Sequence, residues 1–308
     1  MTMPTVLVLG KNGQIGSALQ RRWAGRAGVS AHDRTTCDLG NIDQLRDVIR
    51  RTRPHVIVNA AAYTAVDRAE TDEDACHRIN AIAPGIIAEE ARTIGACLIH
   101  YSTDYVFDGE KATGYREDDP PCPLNAYGRS KLAGDLAILA AGGNHIILRV
   151  GWVYGLAGQN FAKTILRLAS ERDELKIVAD QFGAPTSAEL IANVTSRVID
   201  RCCGGEGEGC DKNSRQFCGI FNLAPLGRIS WHGYALELVR ESARQGRPLR
   251  IAEDKVIPIA SADYPVAATR PKNALLDTNK IRQIFSIDLP AWQADVKRFV
   301  TEWDALKS

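Results

Sequence analysis

An apolar run of strand length, Thr5 to Leu9, leads directly into Gly10-Lys-Asn-Gly13-Gln-Ile-Gly16, and a helix-length amphipathic stretch, Ile15 to Trp23, follows. The rest of the first half repeats that rhythm. Short apolar runs at Val29 to His32, Val56 to Asn59, Cys97 to Tyr101 and His145 to Val150 alternate with helical patterns at Ile42 to Arg51, Asp72 to Thr93 and Tyr127 to Ala140. Strands alternating with helices predict a parallel sheet covered on both faces, so the expected class is α/β with a doubly wound, Rossmann-type sheet. Three glycines between a strand and a helix suit a phosphate-binding turn. Glycine allows the sharp bend and close backbone approach, and the free N–H groups of the helix start attract an anion. Gly13, Gln14 and Ile15 are the expected diphosphate contacts, and Gly10 belongs to the same cofactor-binding turn.

The totals exclude several classes. With 38 basic against 37 acidic residues the net charge is +1, which offers no overall attraction to nucleic acid or to an anionic membrane. The first residues lack the basic start and long apolar core of a signal peptide, and no stretch reaches the ~20 apolar residues of a membrane span. A soluble, cytoplasmic protein is expected. Cys37, Cys76, Cys97 and Cys122 are scattered without metal-ligand spacing. Cys202, Cys203, Cys210 and Cys218 surround the glycine-rich run Gly204-Gly-Glu-Gly-Glu-Gly209, but an adjacent pair followed by wide gaps differs from Cys-x-x-Cys knuckles. No metal is expected there, and the run itself reads as a surface loop.

Where the second strand ends, a carboxylate would receive the hydroxyls of an adenosine ribose, and Asp33 occupies that place. Arg34 beside it suits a 2′-phosphate, so both NADH and NADPH remain open. Asp38 and Leu39 lie where a further loop could enclose the adenine, or Asp38 serves as a cap. The small residues after Asn59, running to Ala62, let a cofactor lie against the backbone. The Tyr127-Gly-Arg-Ser-Lys131 spacing sets phenol and ammonium on one helix face. A free phenol titrates near pH ~10, and the adjacent ammonium with the oxidised nicotinamide lowers that value, which tunes tyrosine for proton exchange at a carbonyl. Thr103, at the end of the fourth strand, supplies a third group, with Ser102 as the alternative. Asp104 could bind a sugar hydroxyl or cap the following turn.

Beyond Gly151 the alternation loosens. Helices are expected at Phe161 to Ser170, Ala188 to Arg201 and Trp231 to Gln245, a strand at Phe217 to Leu223, and loops around Pro185, Pro258 and Pro265. The expected division is a dinucleotide-binding domain over 1–150 and a smaller C-terminal substrate-binding domain over 151–308, with elements of about 187–224 returning to the sheet.

Five segments carry a resemblance: Asn59-Ala-Ala-Ala-Tyr-Thr-Ala-Val-Asp67, His100-Tyr-Ser-Thr-Asp-Tyr-Val-Phe107, Leu124-Asn-Ala-Tyr-Gly128, Asn160-Phe-Ala-Lys163 and Asp180-Gln-Phe-Gly-Ala-Pro-Thr186. Together with the glycine turn and the Tyr/Lys pair, they resemble the extended short-chain dehydrogenase/reductases, and within them the dTDP-4-dehydrorhamnose reductase family. The resemblance implies NADPH- or NADH-dependent reduction of the C4 ketone of a dTDP-linked 6-deoxyhexulose, for surface polysaccharide and lipopolysaccharide synthesis. It implies Tyr127 as proton donor, Lys131 as its partner and Thr103 as the hydroxyl that adjusts the transfer. Thr103, Asp104 and Trp152 would contact the dTDP-sugar, Trp152 as an apolar platform. The cofactor contacts would be Gly13 to Ile15, Asp33, Asp38, Leu39, Ala62, Tyr63, Thr64, Tyr101, Tyr127 and Lys131. Some members hold magnesium between subunits with three glutamates. Only Glu189 matches here, with Ala18 and Gln293 in the other places, so the resemblance implies no complete magnesium site and leaves a homodimer open. Two rival readings share the fold: a nucleotide-sugar epimerase or dehydratase, and a non-catalytic regulatory subunit of methionine adenosyltransferase.

Overall fold

The computed structural model describes residues 4–26, 28–203 and 217–305. The glycine-rich run at 204–209 and Cys210 lie outside them. The first half builds β1 (Val6–Leu9), α1 (Gln14–Arg22), β2 (Val29–His32), α2 (Ile42–Thr52), β3 (Val56–Asn59), two short helices α3 (Val66–Ala69) and α4 (Glu73–His77), α5 (Ala83–Ile94), β4 (Cys97–Thr103), α6 (Ala126–Ala141) and β5 (His145–Val150). The second half adds β6 (Val153–Tyr154), α7 (Phe161–Glu171), β7 (Leu175–Val178), β8 (Phe182–Gly183), β9 (Thr186–Ser187), α8 (Ala188–Cys203), β10 (Gly219–Asn222), β11 (Ile229–Ser230), α9 (Trp231–Arg244), β12 (Val256–Ile259), α10 (Asn279–Phe285) and α11 (Trp292–Ala305).

Six parallel strands form the main sheet in the order β10-β5-β4-β3-β1-β2. The chain leaves β1 toward one edge and returns on its other side as β3, so the order reverses between β1 and β3. Ligands of open α/β sheets bind at the carboxyl ends of the strands beside such a reversal. Strand periodicity explains the two-sided core. In β1, Val6 and Val8 pack with α1 and α8 on one face, while Leu7 and Leu9 pack with α2 and α5 on the other. Each of these four side chains is fully buried, worth roughly 1.5–3 kcal/mol apiece. A third core belongs to the second half, where α7, α9 and α11 enclose Tyr154, Tyr234 and Phe299.

Two expectations need correction. The helix expected across Asp72 to Thr93 is interrupted by a π turn at Arg78–Ile82. Pro84 causes it: with no N–H to donate back and a ring that crowds the preceding turn, it shifts the hydrogen-bond register. The displaced carbonyl of Asn80 then lies against α6, where a Cβ at Gly134 would come within 2.1 Å of it. The Pro258 loop is in fact a strand, since β12 pairs in parallel with β7 and sets Pro258 opposite Ile177. A two-stranded sheet consists only of edges, where a missing N–H leaves no ladder incomplete.

Candidate active site

The glycine turn follows β1 at the sheet reversal. A Cβ at Gly16 would lie 2.1 Å from the Gly10 carbonyl oxygen, and one at Gly10 would lie 2.7 Å from the Ala61 nitrogen. Those two glycines are required by the protein's own packing. Gly13 is different: its nearest neighbour would be 3.4 Å from an added Cβ and its φ is an ordinary −71°. Its bareness leaves open the start of α1, which has no side-chain cap. The uncapped N–H groups and the bare Gly13 fit a diphosphate. Gln14 is tied to the second half, accepting from Asn160 Nδ2 at 2.9 Å and donating to the Val153 carbonyl at 3.4 Å.

Asp33, after β2, accepts from the Thr35 hydroxyl at 2.6 Å and Asn12 Nδ2 at 3.0 Å, with Lys11 Nζ 3.3 Å away. The Thr35 hydroxyl, and then the Lys11 ammonium, hold its carboxyl well below the usual carboxylate range. Asp38 caps the backbone at Gly40 and lies 3.7 Å from Arg34. This end of the cavity therefore carries two carboxylates, Asp33 and Asp38, with Arg34 on the wall and Lys11 beside Asp33. Tyr63 is fastened by Asn80, which accepts from its N–H at 2.8 Å and donates to its carbonyl at 3.0 Å.

The proton-bearing groups meet where β4, α6 and β5 end. Asn125 caps α6 by accepting from Gly128 N–H at 2.8 Å, which fixes Tyr127 in the first turn and Lys131 one turn later. Gly128 is needed because a Cβ there would lie 2.3 Å from the Tyr105 carbonyl. The Tyr105 ring in turn packs edge-on against Tyr127, centroids 5.8 Å apart. The Thr103 hydroxyl lies beside the Tyr127 phenol, close enough to influence its titration, and donates to Asp104 Oδ1 at 3.0 Å. Ser102, on the alternate face of the strand, donates to Asp135 at 2.8 Å, which leaves Thr103 as the hydroxyl for the phenol. Lys131 is buried and donates to the Tyr101 carbonyl at 2.7 Å.

Burial sets the electrostatics. It pushes the Tyr127 phenol well above its ordinary value, and the Thr103 hydroxyl only partly opposes it. Among the protein's own groups burial dominates and keeps the phenol protonated, as a proton donor must be. Burial brings Lys131 down to about 8, against the opposing pull of Asp135. It raises Asp104 to about 7, with Thr103 drawing the other way. Asp104 Oδ2 has no hydrogen-bond partner and sits where a Cβ at Gly151 would be 2.4 Å away. Below Lys131, the buried Asp135 faces Arg149 at 3.6 Å.

Trp152 adopts a left-handed backbone, φ 48°, a conformation that costs about 1–3 kcal/mol outside glycine and marks functional sites. Its indole stacks on Trp231 at a centroid distance of 3.5 Å. A Cβ at Gly183 would lie 2.6 Å from that indole, which accounts for the glycine in Asp180-Gln-Phe-Gly-Ala-Pro-Thr186.

The glycine turn, the proton-bearing groups and the Trp152 indole open on one cavity of about 1010 Å³, at the upper end of the range for small-molecule sites. Each residue expected for cofactor, catalysis or substrate is on its wall: Gly10, Gly13, Gln14, Ile15, Asp33, Asp38, Leu39, Ala62, Tyr63, Thr64, Tyr101, Thr103, Asp104, Tyr127, Lys131 and Trp152. Tyr101 directs its hydroxyl to Thr195 of α8, 2.8 Å away. The sequence reading missed Tyr105, Trp231 and Arg270, which share the wall. Arg270 bonds Asp67 at 2.7 Å and Tyr105 at 3.3 Å. The sequence carries a faint signal for that pair, since Asp67 closes one of the resembling segments.

A magnesium ion does not fit the residues near Glu189, because Arg21 already pairs with that carboxylate and Ala18 is apolar and buried. Among the described residues no cluster of three or more His, Cys, Asp or Glu side chains could hold a metal, and no helix is long and apolar enough to cross a membrane.

The RmlD substrate binding domain family matches residues 3–305. The chain is 42% identical over 288 residues to the dTDP-4-dehydrorhamnose reductase of Burkholderia thailandensis, covering 94% of this chain and 95% of the relative. It is 41% identical over 301 residues to that of Escherichia coli, with 96% and 97% covered. Its fold is similar to the crystal structure of Bacillus anthracis dTDP-4-dehydrorhamnose reductase in complex with NADP, with a TM-score of 0.86, 32% identity, and 97% of this chain and 99% of that one covered.

Proposed function

The chain belongs to the RmlD substrate binding domain family, and on that premise we propose that its cavity is the active site of a dTDP-4-dehydrorhamnose reductase in which Tyr127 donates the proton. The activity is NAD(P)H-dependent reduction of dTDP-4-dehydrorhamnose to dTDP-L-rhamnose, a step of nucleotide-sugar and lipopolysaccharide synthesis. NAD(P)H, when bound, supplies the hydride. The start of α1, with Gly13, Gln14 and Ile15, holds the cofactor diphosphate, and Asp33 takes its ribose hydroxyls. Residues 1–150 serve dinucleotide binding, while 151–308, apart from elements of about 187–224, serve the substrate.

The carrying observation is the line from Tyr127 through Thr103 to Asp104 at the carboxyl end of β4. Tyr127 gives its proton to the C4 oxygen as charge develops there, and the Lys131 ammonium stabilises the phenolate left behind. Thr103 shares its hydrogen bond with the phenol. Asp104 Oδ2, buried and unpartnered, accepts a hydroxyl of the sugar. Trp152 offers an apolar face to the ring, and Arg270 is the guanidinium available to the substrate diphosphate.

The purified protein, given dTDP-4-dehydrorhamnose, is expected to consume NADPH or NADH stoichiometrically. An epimerase would return its cofactor, and a binding subunit would show no turnover; either result overturns the reading. Tyr127→Phe should lower kcat by about 10²–10⁴-fold, with cofactor affinity and melting temperature nearly unchanged. Equal loss of all three would make Tyr127 a packing residue instead.

A further inference from the structure

Behind Lys131 lies a buried imidazole that the chemistry above does not use. His100 of β4 stands opposite Asn59 of β3 in the parallel register, and each is 1% exposed. His100 Nε2 is 3.1 Å from Lys131 Nζ, and its Nδ1 is 3.1 Å from Asn59 Nδ2. The Ala61 N–H donates to Asn59 Oδ1 at 3.3 Å, which turns the Nδ2 toward the ring. In that arrangement Nδ1 accepts and the ring proton sits on Nε2. An Nε2–H can donate to a lysine amine but not to an ammonium, which offers donors only. A charged Lys131 needs the other tautomer, with bare Nε2, a proton on Nδ1 and the Asn59 oxygen turned to meet it. The charge on Lys131 and the tautomer of His100 are therefore tied together.

We propose that His100 is a positioning residue for the proton chemistry: with Asn59 it gives Lys131 a matched partner both as ammonium and as amine. The inference rests on the reading of Tyr127 as donor and Lys131 as its partner. A lysine buried without such a partner would bear the full cost of desolvation in its charged form. His100 itself stays neutral, held well below its ordinary value by burial and then by Lys131. The other titratable groups around the lysine are Asp135 one turn along α6, with Arg149 of β5 facing it, Cys76 of α4, and Tyr127. The tautomer equilibrates through proton exchange with water as the pH changes, so no proton transfer through the ring is required in a turnover.

Two readouts test this. In the full-length protein labelled with ¹⁵N-histidine, the His100 signals should pass from the Nδ1–H to the Nε2–H pattern as the pH rises through about 8, where Lys131 titrates. A single tautomer from pH ~6 to ~10, on either side of the lysine titration, overturns the proposal. In kinetics, His100→Leu removes more from the ammonium than from the amine, because charge-assisted hydrogen bonds are the stronger. The alkaline limb of the kcat profile should move down by about one pH unit, with KM for the sugar nucleotide unchanged. His100→Gln, whose amide can turn either oxygen or nitrogen to the lysine, should restore the limb. An unmoved limb in the leucine variant, or a glutamine variant no better than leucine, refutes the role. Should the leucine variant not fold, the spectrum of the unaltered protein decides. The tautomer readout requires no turnover, so it stands apart from any failure of the Tyr127 assignment.

Discussion

Asp104→Asn should make the stability of the folded protein less sensitive to a rise in pH through the mildly acidic range to neutrality. Burial raises this carboxyl from 3.8 to about 7, and its Oδ2 has no partner within the chain. The folded form thus binds the proton more tightly than the unfolded chain does. Stability is then fully present below the unfolded value near 3.8, declines as the pH rises, and levels off above about 7. The whole shift of about three pH units corresponds to about 4 kcal/mol at ~1.4 kcal/mol per unit, an upper figure where cavity water screens the charge. About two of those units fall between pH 5 and 8, so the wild type should lose up to ~3 kcal/mol there that the variant keeps. Asparagine preserves the shape of the protonated acid and still accepts from the Thr103 hydroxyl, so the difference reports charge rather than packing. Urea unfolding of both proteins at pH 5, 6, 7 and 8 measures it. Parallel stability curves would refute the argument and show that Asp104 ionises freely in the folded state. The same substitution should raise KM for the sugar nucleotide, since a carboxylate facing a sugar hydroxyl is the stronger acceptor.

Glycine substitutions separate folding from binding. Gly16→Ala drives a Cβ to 2.1 Å from a carbonyl oxygen and should destabilise the protein by about 3 kcal/mol or more, whereas Gly13→Ala should leave stability within ~1 kcal/mol and weaken cofactor binding at least tenfold; melting curves and cofactor titrations that failed to split this way would remove Gly13 from the diphosphate site. Asp33→Asn relieves the repulsion of a 2′-phosphate and leaves Lys11 and Arg34 in place, so the ratio of kcat/KM for NADPH over NADH should rise about tenfold, a difference of ~1–2 kcal/mol; an unchanged ratio would place the ribose elsewhere. Prolonged EDTA treatment should leave turnover and sedimentation behaviour unaltered, because Arg21 occupies the Glu189 carboxylate; a loss restored by magnesium would contradict that pairing.

The parts of the site that were legible in the sequence are those in which a local rule and the tertiary requirement coincide. The glycine turn is such a case, because the strand before it, the glycine spacing and the helix after it are contiguous in the chain, from Val6 to Arg22. The Tyr127 and Lys131 spacing is another, since a single helical turn joins them. The preference for Thr103 over Ser102 was read from the strand end and the resemblance, but its geometric reason was not legible: β4 continues as strand through Thr103, which sends alternate hydroxyls to opposite faces and commits Ser102 to Asp135. The effect of Pro84 was readable but unused, and it shows in the π turn that carries Asn80 to the Tyr63 backbone.

What stayed hidden depends on register between distant segments. Nothing near His100 in the chain announces that Asn59 will stand beside it, because that follows from the pairing of β3 with β4 across 41 positions. Arg270 likewise reaches Asp67 and Tyr105 only after the second half has folded back over the cavity. The motif Asp180-Gln-Phe-Gly-Ala-Pro-Thr186 joins the two cases. Read alone it marks a family; in the fold, Gly183 seats the Trp152 indole, and Asp180 accepts from the Ser261 backbone at 3.0 Å. Its particular residues are needed because a strained tryptophan must lie flat on backbone, and only a glycine permits that approach. The segments most diagnostic of the substrate are thus largely those that fix the posture of a few groups on the cavity wall. Substrate choice in this protein is accordingly expected to respond to substitutions such as Gly183→Ala, one residue removed from the ligand, as strongly as to changes in Trp152 itself.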